Sequence, residues 1–475
     1  MLFNSLQFVY FFIIVTSLYF ILPHKFRWAL LLMSSCYFYM AYIPVYILIL
    51  GFTIVIDYFA GIYLEEKKGK SRKLFLILSL VANIGILCIF KYYNFINENL
   101  SLLLGTFSVN NPIPYLKILL PIGLSFHTFQ AMSYTIEVYR GSQKAERNFG
   151  IYALYVMFYP QLVAGPIERP QNLLHQFYEK HQFNYARIVD GLKQMLKGFV
   201  KKVVIADRVA IYVDTIYSTS DIQSGKTLAC AAFFFAFQIY CDFSAYSDIA
   251  IGSARVMGFD LMSNFNTPFF SRSVTDFWRR WHMSLTTWFN DYLFTPITIS
   301  KRDWGKYAVV FALLVTFFIS GLWHGAAWTF VLFGVFNGMA VTLEFLTKKI
   351  RKKLFKSLPQ PLVETVGITL TFLFACFTWV FFRAKSVGQA TDILKTIAKF
   401  KGPLYVGYPK DNFYYSILFI FLVLLYEFKE EFFKTTVKLF HNNNMALRYL
   451  CYVIAIVLIL LFGVFNGGQF IYFQF

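Results

Sequence analysis

The sequence predicts an all-helical protein that crosses a membrane many times, because its apolar residues come in long runs and its charged residues are few. Of the 475 residues, 58% are hydrophobic and only 15% are charged, whereas soluble domains carry about 25% charged residues. Runs of about 20 apolar residues are typical of transmembrane helices. We therefore predict roughly 11 to 13 transmembrane or re-entrant helices around a central funnel. The clearest runs are Phe8–Leu22, Leu74–Phe90, Val366–Phe382 and Tyr449–Phe462.

The net charge of +19 comes largely from short basic segments between the apolar runs. This distribution follows the positive-inside rule, by which Lys and Arg concentrate on the cytoplasmic side. Lys67–Lys73 and Lys348–Lys356 are therefore expected to be cytoplasmic, and Tyr217–Lys226 external. Ala384–Asn412 is also expected to be external, although its several lysines run against the rule. Membrane lipids, and not nucleic acid, are the expected partners of these charges.

One membrane-embedded domain is expected to span residues 1–475. N-terminal helices are expected over 1–140 and C-terminal helices over 347–475, with a catalytic core over 141–346. In that core, prolines and glycines interrupt the apolar sequence between Tyr159 and Lys306. Broken helices at membrane depth are tolerated only where protein surrounds them or where they line a wet cavity. The core is therefore where a functional site is expected.

Two histidines lie in apolar, aromatic segments of this core. His324 lies in Gly321–Gly325 (GLWHG), and His282 lies in Phe277–Trp288 (FWRRWHMSLTTW). Ionisable side chains at membrane depth are costly and mark functional sites, and a neutral histidine can take a proton from a hydroxyl. Glycines on both sides allow close approach to His324, and Trp323 is placed to wall off one side. The alternative for His324 is a core histidine bonded to a backbone carbonyl.

Two arginines precede His282. If Phe277–Trp288 is helical, Trp278 and His282 share one face of the helix. Arg279 and Arg280 offer guanidinium groups that bind phosphate or carboxylate with two hydrogen bonds. The alternative is that both side chains extend to the lipid headgroups.

A third segment, Tyr240–Gly252 (YCDFSAYSDIAIG), carries polar residues at helical spacing. On a helix, Asp242 lies one turn from Tyr246, and Ser244 lies one turn from Asp248. This polar seam is expected to face the protein interior. It would either hold the two arginines or a histidine by ion pairing, or take part in catalysis directly.

Other candidates lie outside these three segments. Lys201 and Lys202 would suit a cytoplasmic donor that carries phosphates, and the alternative is a basic stripe beside the membrane. Tyr472 is the one notable hydroxyl of an aromatic tail whose default role is an interfacial anchor. No GxGxxG, Walker, GxSxG or HExxH motif and no Cys/His metal spacing occurs. The sequence therefore argues against ATP-driven transport, elbow-type hydrolysis and a metal cofactor.

The two histidine motifs together resemble the membrane-bound O-acyltransferase superfamily, and within it the branch that acetylates alginate and related bacterial polysaccharides. Leu120–Gly141 (LPIGLSFHTFQAMSYTIEVYRG), Phe158–Pro170 (FYPQLVAGPIERP) and Tyr240–Gly252 carry the resemblance further. It extends from about Met1 to Gly338. The sequence departs from the branch at Thr295–Arg302, where a Gly-Gly-Asn-Arg loop is usual, so the contribution of that loop is left open.

The resemblance implies that His324 is the superfamily histidine and His282 its partner. It implies transfer of an acetyl or other acyl group from a cytoplasmic thioester donor, such as acetyl-CoA, across the bacterial inner membrane. The acceptor would be an exported polysaccharide, reached through a hydrolase-like partner protein outside the membrane. Donor binding would fall to Arg279, Arg280, Lys201 and Lys202. Tyr472 resembles C-terminal tyrosines that relay acyl groups.

Three alternatives stay open at this point. One is D-alanyl or other acyl transfer to teichoic acid or peptidoglycan, and another is acyl transfer to a lipid. The third is a transporter of lipid-linked glycans that carries out no acyl chemistry. Consumption of a labelled acyl donor would separate the enzymes from the transporter.

Overall fold

The computed structural model describes residues 1–117, 120–433, 440, 442, 444–465 and 470–471. Its α-helices, in chain order, are Leu6–Ile21 (α1), His24–Met40 (α2), Ile47–Glu66 (α3), Gly69–Leu87 (α4), Tyr93–Gly105 (α5), Leu124–Arg140 (α6), Phe149–Met157 (α7), Pro170–Leu173 (α8), Tyr185–Phe199 (α9), Asp207–Ser218 (α10), Gly225–Met257 (α11), Val274–Arg280 (α12), Met283–Phe289 (α13), Thr295–Ser300 (α14), Lys306–His324 (α15), Trp328–Leu354 (α16), Gln360–Arg383 (α17), Val387–Lys399 (α18), Asp411–Phe432 (α19) and Met445–Phe462 (α20).

Long apolar helices confirm the predicted class of an all-helical protein that crosses a membrane many times. Among the described residues, eight helical segments are long and apolar enough to cross. Helix α1 is apolar but shorter, and the interrupted segments of the centre form short helices. The eight segments are Pro44–Glu66, Gly69–Gly105, Gly225–Met257, Lys306–His324, Trp328–Ser357, Gln360–Arg383, Asp411–Phe432 and Met445–Phe462.

One central element differs from the expectation of broken helices between Tyr159 and Lys306. Helix α11 is continuous over 33 residues, and it contains the whole polar seam of Tyr240–Gly252. Most of its most apolar stretch is buried inside the protein. Because protein contacts surround it, the helix tolerates polar residues that lipid would not.

The described residues form two compact units. Unit 1 contains Met1–Met195 and Ile249–Met262, and unit 2 contains Leu196–Asp248 and Ser263–Phe475. These boundaries do not coincide with the three sections expected from the sequence. The two histidine motifs and the acidic part of the seam, through Asp248, all belong to unit 2.

Unit 1 is built around α3, α4 and α6, which pack against one another. A buried polar cluster joins them: the Ser79 hydroxyl donates to the Asp57 carboxylate at 2.6 Å, and the Asn83 amide donates to both carboxylate oxygens at 3.0 and 2.8 Å. Ser79 also lies 3.0 Å from the Thr135 hydroxyl. Such hydrogen bonds between apolar helices fix how they pack.

In unit 2, α15, α16 and α17 run up and down beside one another. Only three residues join α15 to α16, and five join α16 to α17, so neighbouring helices are antiparallel. His324, Trp328 and Arg383 therefore lie at one end, which we call the histidine end. The opposite end carries the basic last turns of α16 and is called the basic end.

Glycines bring α15 and α16 unusually close. A Cβ atom on Gly321 would lie 3.1 Å from the Gly334 Cα, and a Cβ on Gly334 would lie 3.0 Å from the Gly321 Cα. Small residues at such crossings let two backbones touch. Because Gly321 lies one turn before His324, this contact fixes the histidine end of α15.

Candidate active site

His324 is the last residue of α15 and is almost completely buried, with 3% of its surface exposed. Aromatic side chains surround its ring. The ring centroids of Trp323, Phe382 and Phe333 lie 5.0, 5.3 and 5.7 Å from the His324 centroid. Aromatic rings therefore enclose the imidazole and leave bulk water little access to it.

His282 corrects one expectation from the sequence, because it does not lie on a continuous helix. Helix α12 ends at Arg280, α13 begins at Met283, and His282 adopts a left-handed backbone with φ 45° and ψ 54°. Trp278 and His282 therefore do not share a helical face. A left-handed residue other than glycine costs free energy, and such strained residues cluster at active sites.

Backbone hydrogen bonds from a neighbouring segment hold the break open. The Met283 amide donates to the Asn264 carbonyl at 2.9 Å, and the Asn266 amide donates to the Arg280 carbonyl at 3.0 Å. Residues 264–266 thereby satisfy groups that a continuous helix would have paired internally. The spacing of apolar residues in Phe277–Trp288 did not predict this break, because the partner residue Asn264 lies 18 residues before His282.

Asn264 also orients the His282 ring and was missed by the sequence analysis. His282 Nδ1 lies 3.1 Å from the Asn264 side-chain oxygen. Because that oxygen only accepts, Nδ1 carries the proton and Nε2 is the acceptor nitrogen of the neutral ring. The Ser284 hydroxyl donates to the same oxygen at 2.9 Å, and the Asn264 amide donates to Ser247 at 3.1 Å. Burial, and then the neighbouring His324, holds the pKa of His282 well below its usual range.

Trp323 links the two histidines. Its ring centroid lies 6.0 Å from that of His282 and 5.0 Å from that of His324. Phe243 of α11 packs edge-on against the other side of His282, at 4.6 Å. The two histidine motifs, 42 positions apart in the chain, are thus parts of one buried aromatic site.

Replacing Asn264 by alanine is expected to lower turnover by about ten- to a hundredfold, by analogy with residues whose hydrogen bond orients a metal-binding histidine. The physical reason is that Nδ1 loses its acceptor, so the other tautomer becomes accessible. Turnover and KM for the donor would be measured alongside the ¹⁵N chemical shifts of His282. Asn264→Asp keeps the acceptor oxygen and should retain more activity than Asn264→Ala; equal activity of Asn264→Ala and wild type would contradict the role.

A cavity of about 830 Å³ in unit 2 reaches Lys348 and Arg351 at the basic end, and neither His282 nor His324 is among its lining residues. Along α15 it extends from Val309 to Ser320, a distance of about 16 Å, and Ser320 lies one turn before His324. Met283, next to His282, lines it as well. This volume is typical of small-molecule sites.

The two arginines predicted to bind the donor have different surroundings. Arg279 is exposed and lines the cavity together with Lys348 and Arg351. Arg280 instead forms ion pairs with Asp276 at 3.1 Å and Glu431 at 2.7 Å. Of these two arginines, Arg279 is therefore the one placed to bind a ligand inside the cavity.

One carboxylate, Glu344, lies among the cavity cations. Its oxygens accept hydrogen bonds from the Val274 and Thr275 amides at 2.8 and 2.9 Å and from the Thr275 hydroxyl at 2.6 Å. The Glu344 carboxylate therefore caps the first turn of α12 and is occupied by neutral hydrogen-bond donors. The basic end of the cavity thus suits an anionic ligand.

Lys201 and Lys202 do not line the cavity. Lys201 pairs with Asp248 at 2.9 Å, and Lys202 pairs with Asp242 at 2.7 Å and with Asp207 at 2.8 Å. The acidic seam of α11 therefore holds these lysines, and the expectation that it holds Arg279 or Arg280 is corrected. The reason is a π-helical turn over Val200–Ala206, which directs two consecutive lysines toward α11.

Near its C-terminal end, the chain folds against the same seam. The Ile471 amide donates to the second Asp242 oxygen at 2.7 Å, and Phe470 packs 5.6 Å from Phe243. Tyr472, the predicted acyl relay, lies outside the described residues.

The segment that departs from the family pattern, Thr295–Arg302, forms α14 and a following turn. None of its residues lines the cavity. Within the described ranges, no three His, Cys, Asp or Glu side chains converge as metal ligands do.

Fold and site together define a multi-pass membrane protein with a buried histidine pair beside a deep, basic cavity. The sequence profile of the membrane-bound O-acyltransferase family matches residues 147–382, which include both histidines. A protein named as a probable alginate O-acetylase in Azotobacter vinelandii is 35% identical over 82% of this chain and 76% of its own length. The chain belongs to the membrane-bound O-acyltransferase family and is an O-acyltransferase.

Two further relatives show the range of acceptors within the family. A peptidoglycan O-acetyltransferase of Helicobacter pylori is 32% identical over 85% of this chain and 80% of its own length. A teichoic acid D-alanyltransferase of Bacillus subtilis is 29% identical over 56% of this chain and 69% of its own length. The acceptors in the names of these three relatives are alginate, peptidoglycan and teichoic acid.

Proposed function

We propose that this protein transfers an acetyl group from a cytoplasmic thioester donor to a hydroxyl of an exported polysaccharide. The observation that carries the proposal is the cavity, whose lining includes the cations Arg279, Lys348 and Arg351 and also Ser320, one turn before His324. Cations at its basic end suit the phosphates of a donor such as acetyl-CoA. The apolar interior along α15 suits an extended, uncharged arm.

The chemistry assigned to His324 is general-base catalysis. Its ring takes the proton from the acceptor hydroxyl while the oxygen attacks the thioester carbonyl carbon. The C–S bond then breaks, the sulfur leaves as a thiolate, and the histidine returns its proton to that sulfur. The acyl group thus moves from sulfur to oxygen, and the histidine is unchanged at the end of the cycle.

His282 is assigned to positioning the donor. Its backbone break places Met283 in the cavity wall and keeps the ring beside Trp323. Because Asn264 fixes the Nδ1–H tautomer, the ring presents a defined acceptor nitrogen to its surroundings. This arrangement makes the geometry of the donor thioester reproducible from one turnover to the next.

Acetyl is the group we favour, because the relatives named for O-acetylation match 82% and 85% of this chain, whereas the D-alanyltransferase matches 56%. The membrane would be the bacterial inner membrane, with the basic end of unit 2 cytoplasmic. A hydrolase-like protein outside the membrane stays the expected partner for delivery to the polymer. D-alanyl transfer is the second candidate, and the Bacillus subtilis relative supports it.

The deciding experiment supplies acetyl-labelled and D-alanyl-labelled thioesters to the basic end of the protein in sealed vesicles. An O-acetyltransferase consumes the acetyl donor and forms an alkali-labile ester on added polysaccharide. If the protein consumed only the D-alanyl donor, the transferred group would be D-alanyl and not acetyl. Movement of a lipid-linked glycan with no consumption of either donor would refute acyl transfer.

Arg279→Ala is expected to raise KM for the thioester donor about tenfold, with turnover within about twofold of wild type, because one charge-assisted hydrogen bond to a phosphate is lost. The matched variant is Arg280→Ala, which removes the ion pairs with Asp276 and Glu431 instead. We expect it to lower thermal stability and leave KM unchanged. Donor kinetics and melting temperatures of both variants check the assignment; an unchanged KM in Arg279→Ala would contradict it.

A further inference from the structure

The segment Lys385–Lys410 at the histidine end of unit 2 is strongly basic. It contains five lysines, all exposed, and its only acidic residue is Asp392. Lys395 lies 3.5 Å from Asp392, whereas no described carboxylate lies within ion-pair distance of Lys399 or Lys401. An uncompensated basic surface of this kind attracts anions.

This surface is an ordered part of the fold. The Gly225 amide donates to the Lys401 carbonyl at 3.1 Å, and the Tyr212 hydroxyl donates to the Tyr405 carbonyl at 2.8 Å. The Thr227 hydroxyl in turn accepts from the Tyr405 amide at 3.0 Å. The lysines are thus displayed on a fixed framework, which reduces the entropy lost when they bind a partner.

The orientation of α18 argues against a lipid-facing role. Ala390 and Ile393 are buried against protein, whereas the outward stripe carries Asp392, Lys395 and Lys399. A helix that lies on a membrane does the reverse, since it buries its apolar face in lipid. Protein covers the apolar side of α18, and its charged side is exposed.

Aromatic side chains stand beside the lysines. Phe400 and Tyr408 are 60% and 95% exposed, and Tyr405 is 45% exposed. Aromatic rings offer flat apolar faces on which the carbon–hydrogen faces of sugar rings stack, and a tyrosine hydroxyl adds a hydrogen bond. Cations interleaved with exposed aromatics match a polymer of sugars that carry carboxylate or phosphate groups.

The position of this surface connects it to the active site. Phe382, in the last turn of α17, contacts the His324 ring at 5.3 Å, and Lys385 follows three residues later. The cavity assigned to the donor reaches Lys348 and Arg351 at the other, basic end of the same helices. An acceptor bound at the surface would therefore lie on the side of His324 away from the donor entrance.

We propose that Lys385, Lys395, Lys399 and Lys401, together with Tyr405 and Tyr408, form a binding surface for an anionic polysaccharide. This inference rests on the proposed function in one respect, namely that the bound polysaccharide is the acyl acceptor. The binding itself requires no acyl chemistry. The excess of lysines in Ala384–Asn412, which runs against the positive-inside rule, follows from this role.

Binding would be measured with the full chain in nanodiscs of zwitterionic lipid, using a polyuronate oligosaccharide and, as a neutral control, a glucan of equal length. The test variants carry Lys395, Lys399 and Lys401 all changed to Gln or all to Glu. The charge-preserving variant carries Arg at all three positions. The matched control is Lys68→Glu with Lys70→Glu, exposed lysines of unit 1.

Polyuronate affinity is expected to fall at least about tenfold in the Glu variant and less in the Gln variant, since each lost attraction becomes a repulsion. The Arg variant and the unit 1 control should bind as wild type, and glucan should bind far more weakly. Unchanged affinity in both the Gln and Glu variants would overturn the inference, as would equal binding of glucan. Binding to anionic vesicles, but not to polyuronate, would instead assign the lysines to lipid headgroups.

Repeating the measurement on His324→Ala separates this inference from the proposed function. If polyuronate binds to both wild type and His324→Ala but wild type transfers no acyl group, the surface remains a glycan-binding site and only the proposed enzyme mechanism is refuted. Transfer to a short neutral alcohol that persists in the Glu variant, without any polyuronate binding by wild type, would refute only the surface.

Discussion

Replacing His324 by alanine is expected to reduce acyl transfer by at least about a thousandfold, because the acceptor hydroxyl loses its general base. The side chain is buried among Trp323, Phe333 and Phe382, so water has little access to substitute for it. The measurement is transfer of labelled acyl groups from thioester to polysaccharide, by wild type and variant at matched levels in the membrane.

Two controls make that result specific. His175 is 59% exposed at its side chain, and His175→Ala should retain full transfer. His324→Gln keeps a polar side chain but has no group that titrates near neutrality, so it should be as inactive as His324→Ala. If either His324 variant retained more than about a tenth of wild-type activity, the assignment of the base would be wrong.

The Lys202→Met variant is expected to lose about 3–5 kcal/mol in the free energy of unfolding, because it leaves Asp207 and Asp242 buried without their cation. The side chains of Lys202 and Asp242 are only 7% and 5% exposed. The loss would be measured by unfolding in mixed micelles on titration with dodecyl sulfate. Asp207→Asn and Asp242→Asn, added to Lys202→Met, should restore much of the stability by removing both unpaired charges.

Lys395→Met is the matched control, since it breaks a pair of the same type on the surface, where Lys395 and Asp392 are 74% and 76% exposed. Exposed pairs contribute little, so its unfolding curve should superimpose on that of wild type. The same variants test the sequence-based expectation that Lys202 binds the donor. If Lys202→Met were as stable as wild type but had a raised KM for the thioester, the lysine would be a ligand of the donor and not part of a structural ion pair.

Sequence and tertiary structure contributed differently to the two histidines. His324 was predicted to be a functional residue from its own segment alone, because an ionisable side chain in uncharged apolar sequence is costly inside a membrane. The helix break at His282 was not predictable in this way. Helical periodicity is a local property, whereas the break depends on backbone hydrogen bonds to Asn264 and Asn266, which lie on a separate segment.

The charged residues show the same division. Their positions in two short segments marked Arg279, Arg280, Lys201 and Lys202 as candidate donor-binding cations, but the order of residues does not say which carboxylates reach them. Arg279 lines the cavity, while the other three are neutralised by acidic side chains from elsewhere in unit 2. A guanidinium that binds a ligand and one that binds a glutamate have the same sequence signature.

By itself, the sequence determined the all-helical membrane class and the family, and it singled out the two histidine motifs as the candidate site. These depend on the length of apolar runs and on short local patterns, which a linear chain displays directly. Only the tertiary structure decided that Asn264 orients His282, that a cavity lined by three cations extends to Ser320, one turn before His324, and that the lysines of Lys385–Lys410 are exposed. Those features arise where segments distant in the chain meet, and their positions are fixed by packing and by hydrogen bonds that no local pattern encodes.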